Sequence, residues 1–75
     1  MNATEIVREI LAREGITGTS LSARMGKSYR YISNKLTQRN MHTNVFAQIC
    51  DVLDYDVIVR SRYDGAELYL SPREE

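Results

Sequence analysis

Leu21-Ser22-Ala23-Arg24-Met25-Gly26-Lys27-Ser28-Tyr29-Arg30-Tyr31-Ile32-Ser33-Asn34-Lys35-Leu36 is the stretch on which the fold turns. Leu21 and Met25 stand at the i, i+4 spacing of one face of a short helix, which Thr17 can cap and Gly26 can end. Ser28 then offers a second N-cap, and Tyr31, Ile32 and Leu36 mark the apolar side of another helix over about 28–37. Two short helices joined by a tight glycine-containing turn, the second polar and basic outside, are what a major-groove reader requires. One helix crosses the backbone while the other presents its N-terminal side chains to base edges. Leu21, Met25, Ile32 and Leu36 are the inward positions, and Ser22 is the small residue at the helix crossing.

The flanking segments supply the rest of the core. Asn2 followed by Glu5 is a capping-box pattern, and Ile6, Val7, Ile10 and Leu11 recur at helical spacing, giving a helix over about 3–14 that Gly15 ends. After the polar run Gln38-Arg39-Asn40, Thr43 is the expected cap of a fourth helix. Its Val45, Phe46, Ile49, Cys50, Val52 and Leu53 call for burial. From Asp56 the period changes to two: Val57, Val59, Leu68 and Leu70 alternate with polar residues around Asp64-Gly65, a strong hairpin signal. A two-residue turn there would set Val59 opposite Leu70, Ser61 opposite Leu68, Arg60 opposite Tyr69 and Arg62 opposite Glu67. The expected fold is mainly α with a small β hairpin: a single domain over 1–75, with four helices in 3–55 and a C-terminal two-stranded antiparallel hairpin in 56–71.

Composition narrows the function. The 75 residues carry 10 Lys+Arg and 10 Asp+Glu, are 43% hydrophobic, and have one cysteine. A chain of this size buries only about 60% of the surface its unfolded form exposes, so association with a second copy would help it. No apolar run reaches the ~18 residues of a membrane span, and the N-terminus has no signal-peptide core, which with the lone Cys50 suggests the cytoplasm. One His and one Cys cannot build a structural zinc site, and no base–nucleophile pair is credible, so neither an enzyme, a metal nor a cofactor is expected. Cys50 reads as a small core residue and His42 as a loop or capping residue.

The zero net charge is a sum of opposites. Residues 1–43 hold seven basic and three acidic side chains, residues 44–75 three basic and seven acidic, and no acid occurs between Glu14 and Asp51. One half is suited to a polyanion, and the other to water.

At residues 3–55 the chain resembles the Cro and phage-repressor (lambda repressor-like) helix-turn-helix DNA-binding domains. The likeness lies in the Gly26-to-Ser28 turn, the Ser33-Asn34-Lys35-Leu36 run and a fourth helix ending Asp51-Val52-Leu53-Asp54. Two residues depart from the pattern: Lys27 stands where the family usually has an aliphatic residue, and Ser22 replaces the commoner alanine. The resemblance implies that Ser28, Tyr29, Arg30, Ser33 and Asn34 read bases. Arg30 would take guanine O6/N7 and Asn34 adenine N6/N7. It places Thr17, Thr19, Lys27, Lys35, Arg39 and Asn40 at phosphates. The implied function is a sequence-specific double-stranded-DNA-binding transcriptional regulator, a dimeric repressor of phage or mobile-element type. Val57, Val59, Leu68, Tyr69 and Leu70 would join two hairpins in one sheet; the alternative role of the hairpin is to cover its own helical core. An antitoxin-type autorepressor, with a toxin or other regulatory protein as partner, is a second reading. A helix-turn-helix-shaped module that binds protein instead of DNA is a third.

Overall fold

The orphan amides at three of the four helix starts are taken up by a side chain just outside the helix. In the computed structural model, which describes residues 1–72, α1 (Ala3–Glu14), α2 (Gly18–Met25), α3 (Tyr29–Thr37) and α4 (Thr43–Val52) precede β1 (Val57–Arg60) and β2 (Glu67–Leu70). The chain is thus mainly α with one small antiparallel hairpin. Arg73, Glu74 and Glu75 of the acidic half lie outside the described residues. No helix among the described residues is long and apolar enough to cross a membrane.

At α1 the capping box is complete: Asn2 Oδ1 accepts the Glu5 amide at 2.8 Å, and Glu5 Oε1 accepts the Asn2 amide at 2.9 Å. Thr17 Oγ1 accepts the Ser20 amide and Ser28 Oγ the Tyr31 amide, each at 3.1 Å. The fourth start differs from expectation. Thr43 is the first helical residue, and His42 occupies the cap position without a side-chain bond. The cause is tertiary: the preceding Met41 is buried and its amide donates to Thr4 Oγ1 at 3.0 Å, which sets where the chain enters α4.

Three of the four helix ends follow one scheme, and α3 instead ends on an extended Gln38. Gly26 turns left-handed (φ 66°), a conformation that costs glycine no Cβ clash, and the Lys27 amide donates back to the Ser22 carbonyl at 3.0 Å. Asp54 does the same after α4 (φ 62°), with the Tyr55 amide on the Cys50 carbonyl at 2.8 Å. A short polar side chain tolerates that region better than most.

Each helix puts at least one residue in the centre of the core, where Val7, Leu21, Ile32 and Ile49 are free of solvent. Ile10, Leu11, Met41, Cys50 and Leu53 complete the buried cluster. Met25, Leu36, Val45, Phe46 and Val52 are half-buried around it rather than enclosed. Ser22 is buried at the crossing, its hydroxyl donating to the Thr19 carbonyl at 2.7 Å, so no polar atom is stranded there. Cys50 is a core residue, and burial pushes its thiol pKa up, away from thiolate chemistry.

Asn2 also donates from Nδ2 to the Arg39 carbonyl at 2.7 Å, tying α1 to the α3–α4 connection. Asn2→Ala therefore removes the cap together with a long-range bond. It should cost about 1–2 kcal/mol in urea unfolding, and Asn2→Asp, which keeps the acceptor, should cost less.

The hairpin corrects the sequence expectation in register. Val57 pairs with Leu70, Ile58 with Tyr69, Val59 with Leu68 and Arg60 with Glu67, two residues away from the pairing of a two-residue turn. That turn would need positive φ at both Asp64 and Gly65, whereas only Gly65 adopts it (φ 77°). A wider loop over residues 62–65 closes instead, because side chains satisfy its backbone. Ser61 Oγ accepts the Tyr63 and Asp64 amides at 3.2 and 3.4 Å, and Asp64 Oδ1 accepts the Ala66 amide at 3.0 Å. Hydrogen bonding of the Asp64 carboxyl to the Ala66 amide, and then to the Ser61 side chain, holds it below the usual carboxylate range. A shift of two keeps every side chain on its face. Arg60, not Arg62, meets Glu67, at 2.6 Å.

Candidate nucleic-acid interface

At 3.6 residues per turn, Ile32 and Leu36 point α3 into the core and Arg30, Ser33, Asn34 and Thr37 fall on the opposite side. Arg30 and Asn34 are exposed, and among the described residues neither side chain has a hydrogen-bond or ionic partner. Ser33 is half-buried, and Thr37 spends its hydroxyl on the Asn34 carbonyl at 2.9 Å. The face therefore offers a guanidinium and a carboxamide, each free to make two hydrogen bonds in one plane.

A tyrosine borders this face on each side. Tyr29, 58% exposed, lies over the start of α2: a Cβ added at Gly18 would stand 3.2 Å from its Cε1. The absence of a side chain at Gly18 thus lets the ring lie down beside α2. Tyr31, on the other side, is half-buried against the core, with Lys27 Nζ 5.4 Å and Lys35 Nζ 5.1 Å from its ring centroid. Lys27, which departs from the aliphatic residue expected in the turn, is exposed and stacks on a tyrosine instead of filling the core.

The remaining sequence-derived positions divide between outer surface and internal ties. Ser28 and Thr17 are exposed but already serve as caps. Thr19 is exposed beside Thr17 in the first turn of α2. Arg39 has an exposed side chain, while its carbonyl takes the Asn2 amide group. Asn40 is used within the fold: its Oδ1 accepts the Ala3 amide at 3.1 Å, leaving only its Nδ2 to offer outward.

One residue that holds the site was missed from sequence. Arg8 of α1 donates from Nε to the Leu36 carbonyl at 3.0 Å, and its Nη2 donates to the same oxygen. A cation on the last carbonyls of a helix satisfies orphan acceptors and complements the dipole. Arg8 therefore fixes the C-terminal end of α3, whereas sequence reading counted it only among the basic residues. No local signal marks it, since Leu36 lies 28 residues along the chain.

The hairpin meets the helical core at its base and leaves its outer part exposed. Among the described residues Val57 packs on it at the base, with Ile58 beside an apolar groove there; farther along, Val59 is 65% and Leu68 74% exposed on the face of Val57, and Tyr69 on the other face is 63% exposed. At its base lies an open apolar groove of about 250 Å³ formed by Ile6, Ile10, Phe46, Cys50, Tyr55 and Val57. Tyr55 closes one side of it, donating to Glu14 Oε2 at 3.1 Å. Desolvation and that carboxylate both push the phenol pKa up.

Comparison with protein-family models, curated proteins and solved structures returns no significant match for this chain.

Proposed function

We propose that the protein is a sequence-specific double-stranded-DNA-binding transcriptional regulator of the Cro and phage-repressor type, acting as a two-fold dimer. The outer face of α3 carries the reading. Arg30 and Asn34 stand there unpartnered, on a helix held from behind by Ile32, by the Ser28 cap and by Arg8. Polar groups spared from holding the fold are what base recognition uses: Arg30 suits guanine O6/N7 and Asn34 adenine N6/N7, with Tyr29, Ser28 and Ser33 alongside. Thr17, Thr19, Lys27, Lys35 and Arg39 surround that face and would fix its register on phosphates, with Asn40 limited to its amide nitrogen.

The dimer rests on a separate observation. A two-stranded sheet with apolar residues exposed on both faces and two free edges is marginal alone in water, and pairing with a second hairpin gives it neighbours. Two copies would set two recognition helices about 34 Å apart, matching half-sites one turn apart.

Selection from random duplexes followed by salt titration tests the reading. A duplex should be enriched, and log K should fall by about 0.9 per log salt for each phosphate engaged. Arg30→Ala should cost about 1–3 kcal/mol, confined to one base position in each half-site. Arg39→Ala should weaken all sequences alike and lower the salt slope. No enrichment, with salt-insensitive capture of a protein instead, would replace this reading with that of a protein-binding module; a toxin so captured would favour the antitoxin role.

A further inference from the structure

We propose that Tyr31 is the platform of a phosphate clamp, its ring holding the Lys27 and Lys35 ammonium groups together at one border of the α3 face, where they take phosphate oxygens. The placement on a duplex rests on the DNA reading above; the clamp itself is a property of the free protein.

Lys27, Tyr31 and Lys35 succeed one another at intervals of four residues, so they form a single line along the turn and the flank of α3. The ring is half-buried and packs on the core, which makes it a fixed element between two flexible stems. With ammonium groups 5.4 and 5.1 Å from one centroid, the two charges stand no more than about 10.5 Å apart. Neither is neutralised: among the described residues the one salt bridge joins Arg60 to Glu67. Asp51, which borders the same surface depression as Lys27 and Arg24, forms no ion pair with either. Like charges gathered this way lack a counter-ion, and a phosphate supplies it. Lysine is a point charge with rotatable donors, suited to oxyanions that need no fixed fork. Stacking on the ring restricts each stem before the ligand arrives, so less rotamer freedom is lost on binding. Tyr31 is then a positioning residue that acts through the two lysines.

The experiment compares wild type with Tyr31→Phe, Tyr31→Leu, Lys27→Gln, Lys35→Gln and the double lysine variant, using two probes. Inorganic pyrophosphate is titrated against the free protein while the lysine side-chain NMR signals are followed. A random-sequence duplex is titrated at several salt concentrations. In the free wild type the Lys27 and Lys35 methylene signals should be shifted by the ring current, and pyrophosphate should move them. Tyr31→Phe should keep both effects. Tyr31→Leu should abolish the ring-current shift and weaken binding of either probe by about 5- to 20-fold, without changing the salt slope. In the double lysine background Tyr31→Leu should have no further effect. Pyrophosphate that leaves both lysine signals in place, or a folded Tyr31→Leu protein that binds it as wild type does, overturns the clamp. Should Tyr31→Leu not fold, the lysine variants decide by the same pyrophosphate readout: unchanged binding in the double variant overturns the proposal. Tyr31-dependent pyrophosphate binding without any duplex binding would uphold the clamp and remove the DNA reading instead.

Discussion

Leu68→Glu is expected to turn a dimer into a folded monomer and to cost about 100- to 10,000-fold in operator affinity. Leu68 is 74% exposed and faces Val59, itself 65% exposed, so the substitution removes little that the single chain uses. Far-UV circular dichroism should be unchanged, and stability should move within about 0.5 kcal/mol at a concentration where both proteins are monomeric. In a two-fold pair of hairpins the same position counts twice. Each copy loses the burial of a leucine, worth about 1.5–3 kcal/mol, and each brings a carboxylate into an apolar sheet beside its symmetry mate. The dimer dissociation constant should therefore rise at least about a thousandfold. The loss on DNA follows because the second recognition helix no longer arrives tethered to the first. Sedimentation velocity over a concentration series, paired with operator titration, reads both effects. A variant that dimerises as wild type does would remove the hairpin from the interface, and a wild type that stays monomeric at tens of micromolar would remove the dimer.

Ile32→Ala should show the largest loss of stability among single truncations in α3, about 2–5 kcal/mol in urea unfolding. Ile32 is fully buried at the centre of the cluster formed by the four helices, and the shortened side chain leaves a cavity that Val7, Leu21 and Ile49 cannot all close. A chain of this length has about 4–11 kcal/mol in total, so the variant sits near the edge of folding. The effect reaches function because α3, at nine residues, is too short to be helical without its anchor. DNA binding should fall in proportion to the folded fraction and recover when the temperature is lowered. Asn34→Ala, on the opposite side of the same helix, should leave stability within about 0.5 kcal/mol while weakening recognition. A loss below about 1 kcal/mol for Ile32→Ala would mean that α3 is held chiefly by its cap and by Arg8, not by packing.

The candidate site was legible to the extent that it is local. That Arg30 and Asn34 face away from Ile32 and Leu36 follows from helical spacing alone, and the structure leaves both exposed. Asn40 looked equally free in the polar run after α3, yet its side chain is bonded to the first amide of α1. Its role depends on a residue 37 positions away, which no neighbour in sequence announces. Thr4 and Met41 were overlooked as core residues for the same reason, since they bury each other across the fold. The hairpin register was misread because Asp64-Gly65 has the residue types of a two-residue turn. Ser61 and Asp64 instead spend their side chains on the backbone of a wider one.

The order of the four helices, the caps at Asn2, Thr17 and Ser28, the stop at Gly26 and the inward stripe of α3 are all set by residues within four positions of one another. Such contacts form wherever the chain is helical, so the sequence determined them unaided. The tertiary structure alone decided that Arg8 closes the end of α3, that the chain enters α4 one residue before its apparent cap, and that the hairpin meets the helices only at its base while Val59, Leu68 and Tyr69 stay exposed. Each depends on which distant surfaces meet once the core has closed. Burial around Val7, Leu21, Ile32 and Ile49 selects that arrangement, and helical spacing does not.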